Sequence, residues 1–301
     1  MKNNAKYQLI ERAYQDYNES IVKINHEKIK SLDLSNFTFN ELTGNEILAL
    51  KGKTLREVVA FLIGLNSINY QYWNLIEDKF YRYSNNDKVG ALAAFEGFEK
   101  MWNAFENHNI YFKLHSIVAV HVIQRYFGDI PEQISRIEIF KESMNKDLLN
   151  KCFVIIKEDI DRHLISTDTA EKIAQIMPLS FKEPYLKKIQ LALYEIALHA
   201  RSIGYDVKED LTVAADYQLP KVLEAMGIIN YSNSLYSHIE NQKPIAQNSK
   251  EEKAIRAATI IACENISSEH NISIPTIDRW LWLARNDYKN KKFHLTKTTA
   301  Y

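Results

Sequence analysis

Eight glycines and six prolines are all that 301 residues contain, less than half of ordinary usage. Sheet-rich folds turn often, and tight turns draw on those two residues, so the shortage predicts long helices joined by few loops. Hydrophobic spacing agrees. In "YLKKIQLALYEIALHARSIG", Ile189, Ala192, Leu193, Ile196, Ala197 and Ala200 recur on one helical face. "EEKAIRAATIIACENI" repeats the spacing with Ile255, Ala258, Thr259, Ala262, Cys263 and Ile266, which puts Cys263 on a packing stripe as a small apolar group. Gly204 and Gly227 read as helix stops, and Asp129-Ile-Pro131 and Asp168-Thr-Ala-Glu171 as helix starts. The polar stretch 239–253, "IENQKPIAQNSKEEK", reads as the main loop. No linker or solenoid repeat divides the chain, so one all-α helical domain over residues 1–301 is expected. Its N-terminal helical segment is expected to attach loosely, and a short strand pair in residues 33–42 is the one departure allowed for.

Charge and motif content then remove function classes. Thirty-eight basic residues balance thirty-eight acidic ones. A global grip on DNA or RNA needs a cationic face to neutralise phosphates, so stable nucleic-acid binding is not expected, although a local basic pocket is. The two cysteines, Cys152 and Cys263, fit a reducing compartment. The charged N-terminus lacks a signal core, and the longest apolar run, 58–65, is far too short to span a bilayer. A cytoplasmic protein is expected. The nine histidines show no metal-ligand spacing, and His115 and His121, six apart, do not align on a helix. With no Walker, dinucleotide-binding or nucleophile-elbow motif either, no metal and no cofactor are expected.

What remains are polar residues set in apolar surroundings. In "LTVAADYQLPKVLEAMGIINYS", Asp216 stands between two alanines and a tyrosine, just before a helical pattern beginning at Pro220. With Pro220 as first helical residue Asp216 lies too early to cap that helix, which leaves a buried structural hydrogen-bonder or a working carboxylate. In "TIDRWLWLARNDY", Asp278, Trp282 and Arg285 share a helical face, where an acid beside an aromatic ring can hold a flat heterocycle. The alternative is a first-turn acid offsetting the helix dipole while tryptophans fill the core. The tail "FHLTKTTAY" offers His294, Lys297 and four hydroxyls, a mixture suited to phosphate or simply solvated. Lys187 and Lys188 fall on the polar flank of their helix, where solvation is the default reading. Asn66, Asn69 and Trp73 in "GLNSINYQYW" line a polar pocket or satisfy backbone groups.

These segments, in this order, resemble the queuosine salvage family of queuosine 5′-phosphate N-glycosylases, most clearly over residues 181–301 and more weakly over the N-terminal helical portion 1–110. "FKEPYLKKIQLALYE" is similar to F-Y-K-R-A-Q-I-L-x-A-D, and "AADYQLPKVLEAMGIINYSNSL" to F-A-D-Y-R-x-P-Q-x-L…G-x-L-x-Y-S-x-x-L. "AIRAATIIACENI" resembles E-I-R-G-x-S-x-x-x-V-E-x-I, "IDRWLWLARNDY" resembles L-D-Y-Y-L-W-D-Y-A, "HLTKTTAY" the closing H-R-x-R-x-x-Y-Y, and "LNSINYQYW" an L-N-F-S-F-W. The resemblance implies a fold akin to helical DNA glycosylases and metal-free hydrolysis of a nucleotide N-glycosidic bond that releases a 7-deazaguanine base. It casts Asp216 as the catalytic carboxylate and Asp278 as the acid on the base. Lys187, His294 and Lys297 would surround the phosphate, and Asn69, Trp73 and Trp282 would contact substrate.

Three positions depart from the pattern: Ala214 replaces Phe, Arg279 replaces Tyr, and Leu283 replaces Asp. All three are expected to line the base pocket, enlarging it and changing its polarity, so the chemistry should carry over better than the base preference. The competing readings are a helical nucleotide-binding protein without turnover and a glycosylase acting on a different base.

Overall fold

The computed structural model describes residues 5–34, 50, 52–106 and 116–301. Helices dominate it. The first part contains α1 (Ala5–Asp16), β1 (Val22–Ile24), α2 (His26–Lys30) and α3 (Leu55–Ser67). Two hairpins follow, β2 (Trp73–Ile76) with β3 (Lys79–Arg82) and β4 (Ser84–Asn85) with β5 (Lys88–Val89). Next come α4 (Ala91–Glu106), α5 (Ser116–Phe127), α6 (Gln133–Ser143), α7 (Lys146–Asp161), β6 (Leu164–Ser166), α8 (Thr167–Ile176) and α9 (Pro178–Phe181). The last third holds α10 (Lys187–Ser202), β7 (Lys208–Asp210), α11 (Gln218–Ala225), β8 (Ile229–Tyr231), α12 (Asn233–Glu240), α13 (Lys250–His270) and α14 (Ile274–Ala284).

Mostly helical is therefore the correct description, and purely helical is not. Four two-stranded sheets interrupt the helices: β1 with β8 and the two hairpins are antiparallel, and β6 with β7 is parallel. Glycine scarcity misled here for a physical reason. The β2–β3 turn puts Glu77 (φ 49°) and Asp78 (φ 60°) in the left-handed region, and the β4–β5 turn does so with Asn86 (φ 52°). Two consecutive left-handed residues make the tight hairpin turn whose twist matches the strands, a role usually given to Asn-Gly or Gly-Gly. The strand pair expected in residues 33–42 falls mostly outside the described residues.

Two helices are buried almost all round rather than along a stripe. From Val58 to Ser67 every residue of α3 is buried, and from Ala254 to Cys263 every residue of α13. Small side chains allow this by letting neighbours approach closely. A methyl at Gly64 would lie 2.6 Å from Met144 Sδ and 2.8 Å from Phe98 Cζ, so α4 and α6 can close on α3 only because that position is glycine. Helix α10 packs on α3, and α1, α2, α11 and α14 surround α13. Buried Cys263 lies within the packed helix, as the spacing implied, and burial pushes its thiol well up.

The N-terminal helix is not loosely attached. Ala5, Leu9 and Ala13 are buried against α13, and the backbone N–H of Ala5 donates to Asp168 Oδ1 at 3.0 Å. Asp168 is thus spent there, and α8 begins one residue earlier, with Ser166 and Thr169 forming its capping box. Helix α6 likewise begins at Gln133, after the expected start at Asp129–Pro131. Gly204 (φ 97°) and Gly227 (φ 71°) do follow α10 and α11 in the left-handed conformation of helix stops. The polar stretch 239–253 is loop from 241 to 249, between α12 and α13.

Candidate functional site

The chain segment 211–217 is extended and largely buried, so its backbone polar groups need partners. It finds them on three different helices. Gln190 of α10 clasps Thr212, accepting from its N–H at 2.8 Å and donating to Oγ1 at 3.0 Å. Asp278 of α14 accepts the Ala214 N–H through Oδ2 at 2.6 Å. Arg256 of α13 donates to the Ala215 carbonyl at 3.2 Å. The acid of "AADY" is therefore delivered to one place by side chains far apart in sequence.

Asp216 does cap its helix, contrary to the expectation from Pro220. The first helical residue is Gln218, two positions earlier, and Asp216 Oδ1 accepts from the N–H of Gln218 at 2.7 Å and of Leu219 at 3.2 Å. Its Oδ2 makes no hydrogen bond among the described residues. One oxygen holds the carboxylate in place at the helix N-terminus, and the other is left for chemistry.

Asp216 and Asp278 both line a cavity of about 360 Å³. Its walls come from the turn after α3 (Asn69, Tyr70, Tyr72), the hairpins (Arg82, Lys88, Val89) and the start of α4 (Leu92, Phe95). Helices α10 and α14 supply Lys187, Tyr194, Glu195, Arg279, Trp282 and Arg285, and Ala214, Tyr217 and the last residue, Tyr301, complete it. Buried Arg136 fixes the turn after α3 by donating to the carbonyls of Ile68, Tyr70 and Gln71. Trp282 lies under two guanidinium groups, Arg285 at 3.3 Å and Arg279 at 5.2 Å from its ring centroid.

The lysines overturn the solvated-flank reading. Lys187 and Lys188 are both buried, Nζ of Lys187 donating to Asn69 O at 3.0 Å and Nζ of Lys188 to Ser67 O at 2.8 Å. Burial lowers the Lys187 pKa, while Asp216, Asp278 and Glu183 act in the opposite sense. Burial raises the carboxyl of Asp278 from its ordinary 3.8 to about 6, against the Ala214 N–H and Lys187, and Asp216 adds to the rise. Glu195 rises to about 7, chiefly through burial, with Asn66 donating to its Oε2 at 2.8 Å. A cavity with a fixed carboxylate beside acids that hold protons near neutrality is equipped for acid–base work on a bound molecule.

Other expected positions are dispersed. Leu283 is 42% exposed, because it sits about 100° around the helix from Trp282, so it does not enlarge the cavity. Trp73 is buried beside Phe80, their ring centroids 6.4 Å apart, and does not line the cavity. His294 is buried with Nε2 3.2 Å from the Tyr301 hydroxyl, and burial together with Arg256 drives its pKa down to about 3. A ring neutral at physiological pH brings no positive charge to a phosphate. Lys297 is exposed. The tail instead docks on the turn after α3, with Gln71 N–H donating to Tyr301 O at 3.0 Å and Thr298 N–H to Gln71 Oε1 at 2.9 Å. Of Lys187, His294 and Lys297, it is Lys187 that lines the cavity. Glu195 and Arg82 were not singled out from the sequence, although Glu195 closes the "FKEPYLKKIQLALYE" segment, and Tyr301 was read as one of the four tail hydroxyls.

Removing the desolvated acids should stabilise the unliganded protein. Both carboxyls hold protons more tightly folded than unfolded, so their effect on stability worsens as pH climbs from about 4 through 6 to 7. Asp278→Asn and Glu195→Gln are each expected to gain about 1–3 kcal/mol at pH 8 and nothing near pH 4. Melting curves across pH check this; no gain at pH 8 would show that the cavity solvates these acids fully.

Residues 185–301 match the family model described as queuosine salvage protein. The chain is 30% identical over 127 residues to a queuosine 5′-phosphate N-glycosylase/hydrolase of Sphaerobacter thermophilus, an alignment covering 39% of each chain. It is 24% identical over 238 residues to the protein of that name in Dictyostelium discoideum, covering 73% of this chain and 69% of the other. A third protein of that name, in Schizosaccharomyces pombe, is 27% identical over 114 residues, covering 36% of this chain and 33% of its own length. The chain thus spans well under half of two of these relatives and about two thirds of the other. The family resemblance read in the sequence is borne out, and the matched region carries most of the cavity's polar residues.

Proposed function

We propose that this chain, with the queuosine salvage pattern over residues 185–301, hydrolyses the N-glycosidic bond of queuosine 5′-phosphate or a related modified nucleotide. The observation that carries the reading is the meeting of Asp216 and Asp278 in one cavity, across 62 residues of sequence, in the roles the family pattern implies. The names of the relatives in three organisms support it.

In the reaction the bond from ribose C1′ to the base breaks and its electron pair leaves with the base. Positive charge builds on C1′ and the ring oxygen, where the Asp216 carboxylate stabilises it. Water adds its oxygen to C1′, and the proton it loses balances the one the leaving base acquires. Asp278, with a pKa near 6, can hold a proton toward the base, and Glu195 stands in the same wall. Trp282 lines the cavity with the Arg285 guanidinium 3.3 Å over its ring, so a cation-covered aromatic wall borders the bound molecule. Products are the free base and ribose 5-phosphate, with no metal or cofactor in any step.

On the same family likeness the helical frame is read as akin to helical DNA glycosylases. The chain is read as one domain, supported by a single hydrophobic core cluster that, among the described residues, includes side chains from Leu9 to Ala284. Among the described residues no helix is long and apolar enough to cross a membrane, which agrees with a cytoplasmic enzyme.

The test is base release, followed by chromatography, from queuosine 5′-phosphate, simpler 7-deazaguanine nucleotides and purine nucleotides, each beside its free nucleoside. A preference of about tenfold or more for the 5′-phosphate is expected, the scale of one charge-assisted contact. Ala214 and Arg279 line the cavity, so broadened base tolerance is expected with them, while Leu283 no longer contributes to that argument. Binding of these nucleotides with no release of base would instead identify a binding protein.

A further inference from the structure

Four carboxyls line the cavity, and the proposed reaction uses two of them, Asp216 and Asp278. Asp87 is exposed on the β4–β5 turn. Glu195 remains, half-buried on α10 and held in the same way as the two aspartates. Asn66 Nδ2 donates to its Oε2 at 2.8 Å, and that amide is itself fixed, donating to the Leu62 carbonyl at 3.1 Å and accepting from Asn69 at 3.2 Å. Oε1 of Glu195 makes no hydrogen bond among the described residues. Asp216 and Asp278 show the same pattern, one oxygen tied to backbone N–H groups and the other without such a partner. Glu195 has no ion pair among the described residues either, so its burial is poorly explained by support of the fold alone.

The three buried acids follow one another along the cavity. Asp216 acts electrostatically on Asp278, and Asp278 in turn on Glu195. Lys187, which faces Asp216 and Asp278, begins α10, and Glu195 lies about two turns further on, about 12 Å along the helix. With C1′ at Asp216 and the leaving base toward Asp278, the edge of the base farthest from the sugar reaches Glu195. In a guanine-type base that edge carries a ring N–H beside an exocyclic amino group, two donors that one carboxylate accepts together. Leu191, one turn before Glu195, and Leu92 and Phe95 of α4 give the cavity apolar faces for a flat ring. Leu283, where the family pattern has an acid, is 42% exposed and offers the cavity nothing in exchange.

We propose that Glu195 reads this two-donor edge and thereby selects a guanine-type base, with Asn66 as the residue that positions it. The inference deepens the nucleotide reading and rests on it. Accepting both donors requires the ionised carboxyl. The groups around it are Asn66 on α3, Lys187 on its own helix, and Asp278 and Arg279 on α14. Burial keeps the Glu195 proton on up to about 7 in the free protein, so uptake of the base releases that proton.

Calorimetry of the intact chain with free 7-deazaguanine reads the site without turnover. Affinity is expected to rise about tenfold from pH 6 to pH 8, where a carboxyl with a pKa near 7 ionises and the base stays uncharged. Glu195→Gln should lose about tenfold or more of the affinity at pH 8, and most of the pH dependence, keeping the smaller part that Asp278 brings. Base release from the 5′-phosphates of 7-deazaguanosine and 7-deazainosine, the second lacking the amino group, then separates recognition from support of the fold. The intact protein should prefer the first in kcat/KM by about tenfold or more, and Glu195→Gln should bring the ratio near one. A side chain that only supported the fold would lower both rates alike. Equal rates on the two nucleotides, a ratio unchanged by Glu195→Gln, or free-base binding that is absent or independent of pH overturns the proposal. Base binding that depends on Glu195, without release from any nucleotide, would keep the base site and remove the hydrolase reading.

Discussion

Asp216→Asn is expected to lower base release by a factor of about a thousand or more while leaving the melting temperature nearly unchanged. The separation follows from the two oxygens of this side chain. Oδ1 caps α11 by accepting from Gln218 and Leu219, and an asparagine carbonyl caps a helix about as well as a carboxylate does. The charge that would face C1′ is lost with no change in shape. Asp216→Ala, by contrast, removes the cap as well and should cost about 0.5–2 kcal/mol of stability in addition to the rate. Single-turnover release from queuosine 5′-phosphate, measured beside thermal melts, gives both numbers. Ordinary turnover by a well-folded Asp216→Asn protein would strip Asp216 of its role and leave Asp278 and Glu195 as the acids to test.

The largest structural loss is expected from Arg256→Leu, about 3–5 kcal/mol. Arg256 is 2% exposed and lies on α13 at the back of the site. Its guanidinium meets Glu183 at 2.8 Å and Glu252 at 3.7 Å, reaches the Ala215 carbonyl, and sits 4.5–4.7 Å from the ring centroids of Tyr301 and Tyr185. Leucine in its place leaves two buried carboxylates facing each other without a cation. Breaking a buried pair by removing one partner costs more than the pair contributed, because the remaining charge stays desolvated. Glu183 also accepts from the Lys187 N–H at the start of α10, and Ala215 adjoins Asp216, so activity should fall with stability. Denaturant unfolding at pH 7 checks the size. Adding Glu183→Gln should restore part of the loss by removing one stranded charge; a loss below about 1 kcal/mol would mean that water reaches this pair.

Much of the frame was legible locally. Residues 189–200 and 255–266 form helices because apolar side chains recur with the helical period, and Gly204 and Gly227 end helices because their backbone is left-handed. The site acids were legible too, since Asp216 and Asp278 stand in recognisable surroundings of sequence. The hairpins were less so, because Glu77, Asp78 and Asn86 occupy conformations that composition assigns to glycine.

Periodicity reports which face of a helix is apolar, but not what a distant segment will lay against its polar face. Lys187 and Lys188 looked solvated and are buried, because the turn after α3 brings the Asn69 and Ser67 carbonyls onto them. His294 looked like a phosphate ligand and is neutral, because the tail turns inward and packs it behind Tyr301 near Arg256. Glu195 acquired its raised pKa only when α3 and α10 closed over it. The sequence by itself determined the helical frame and the identity of the two aspartates, since both depend on residues near one another in the chain. Only the tertiary structure decided which cations face the cavity, which acids hold protons and where the tail goes. Those outcomes depend on desolvation and long-range packing, which no local pattern encodes.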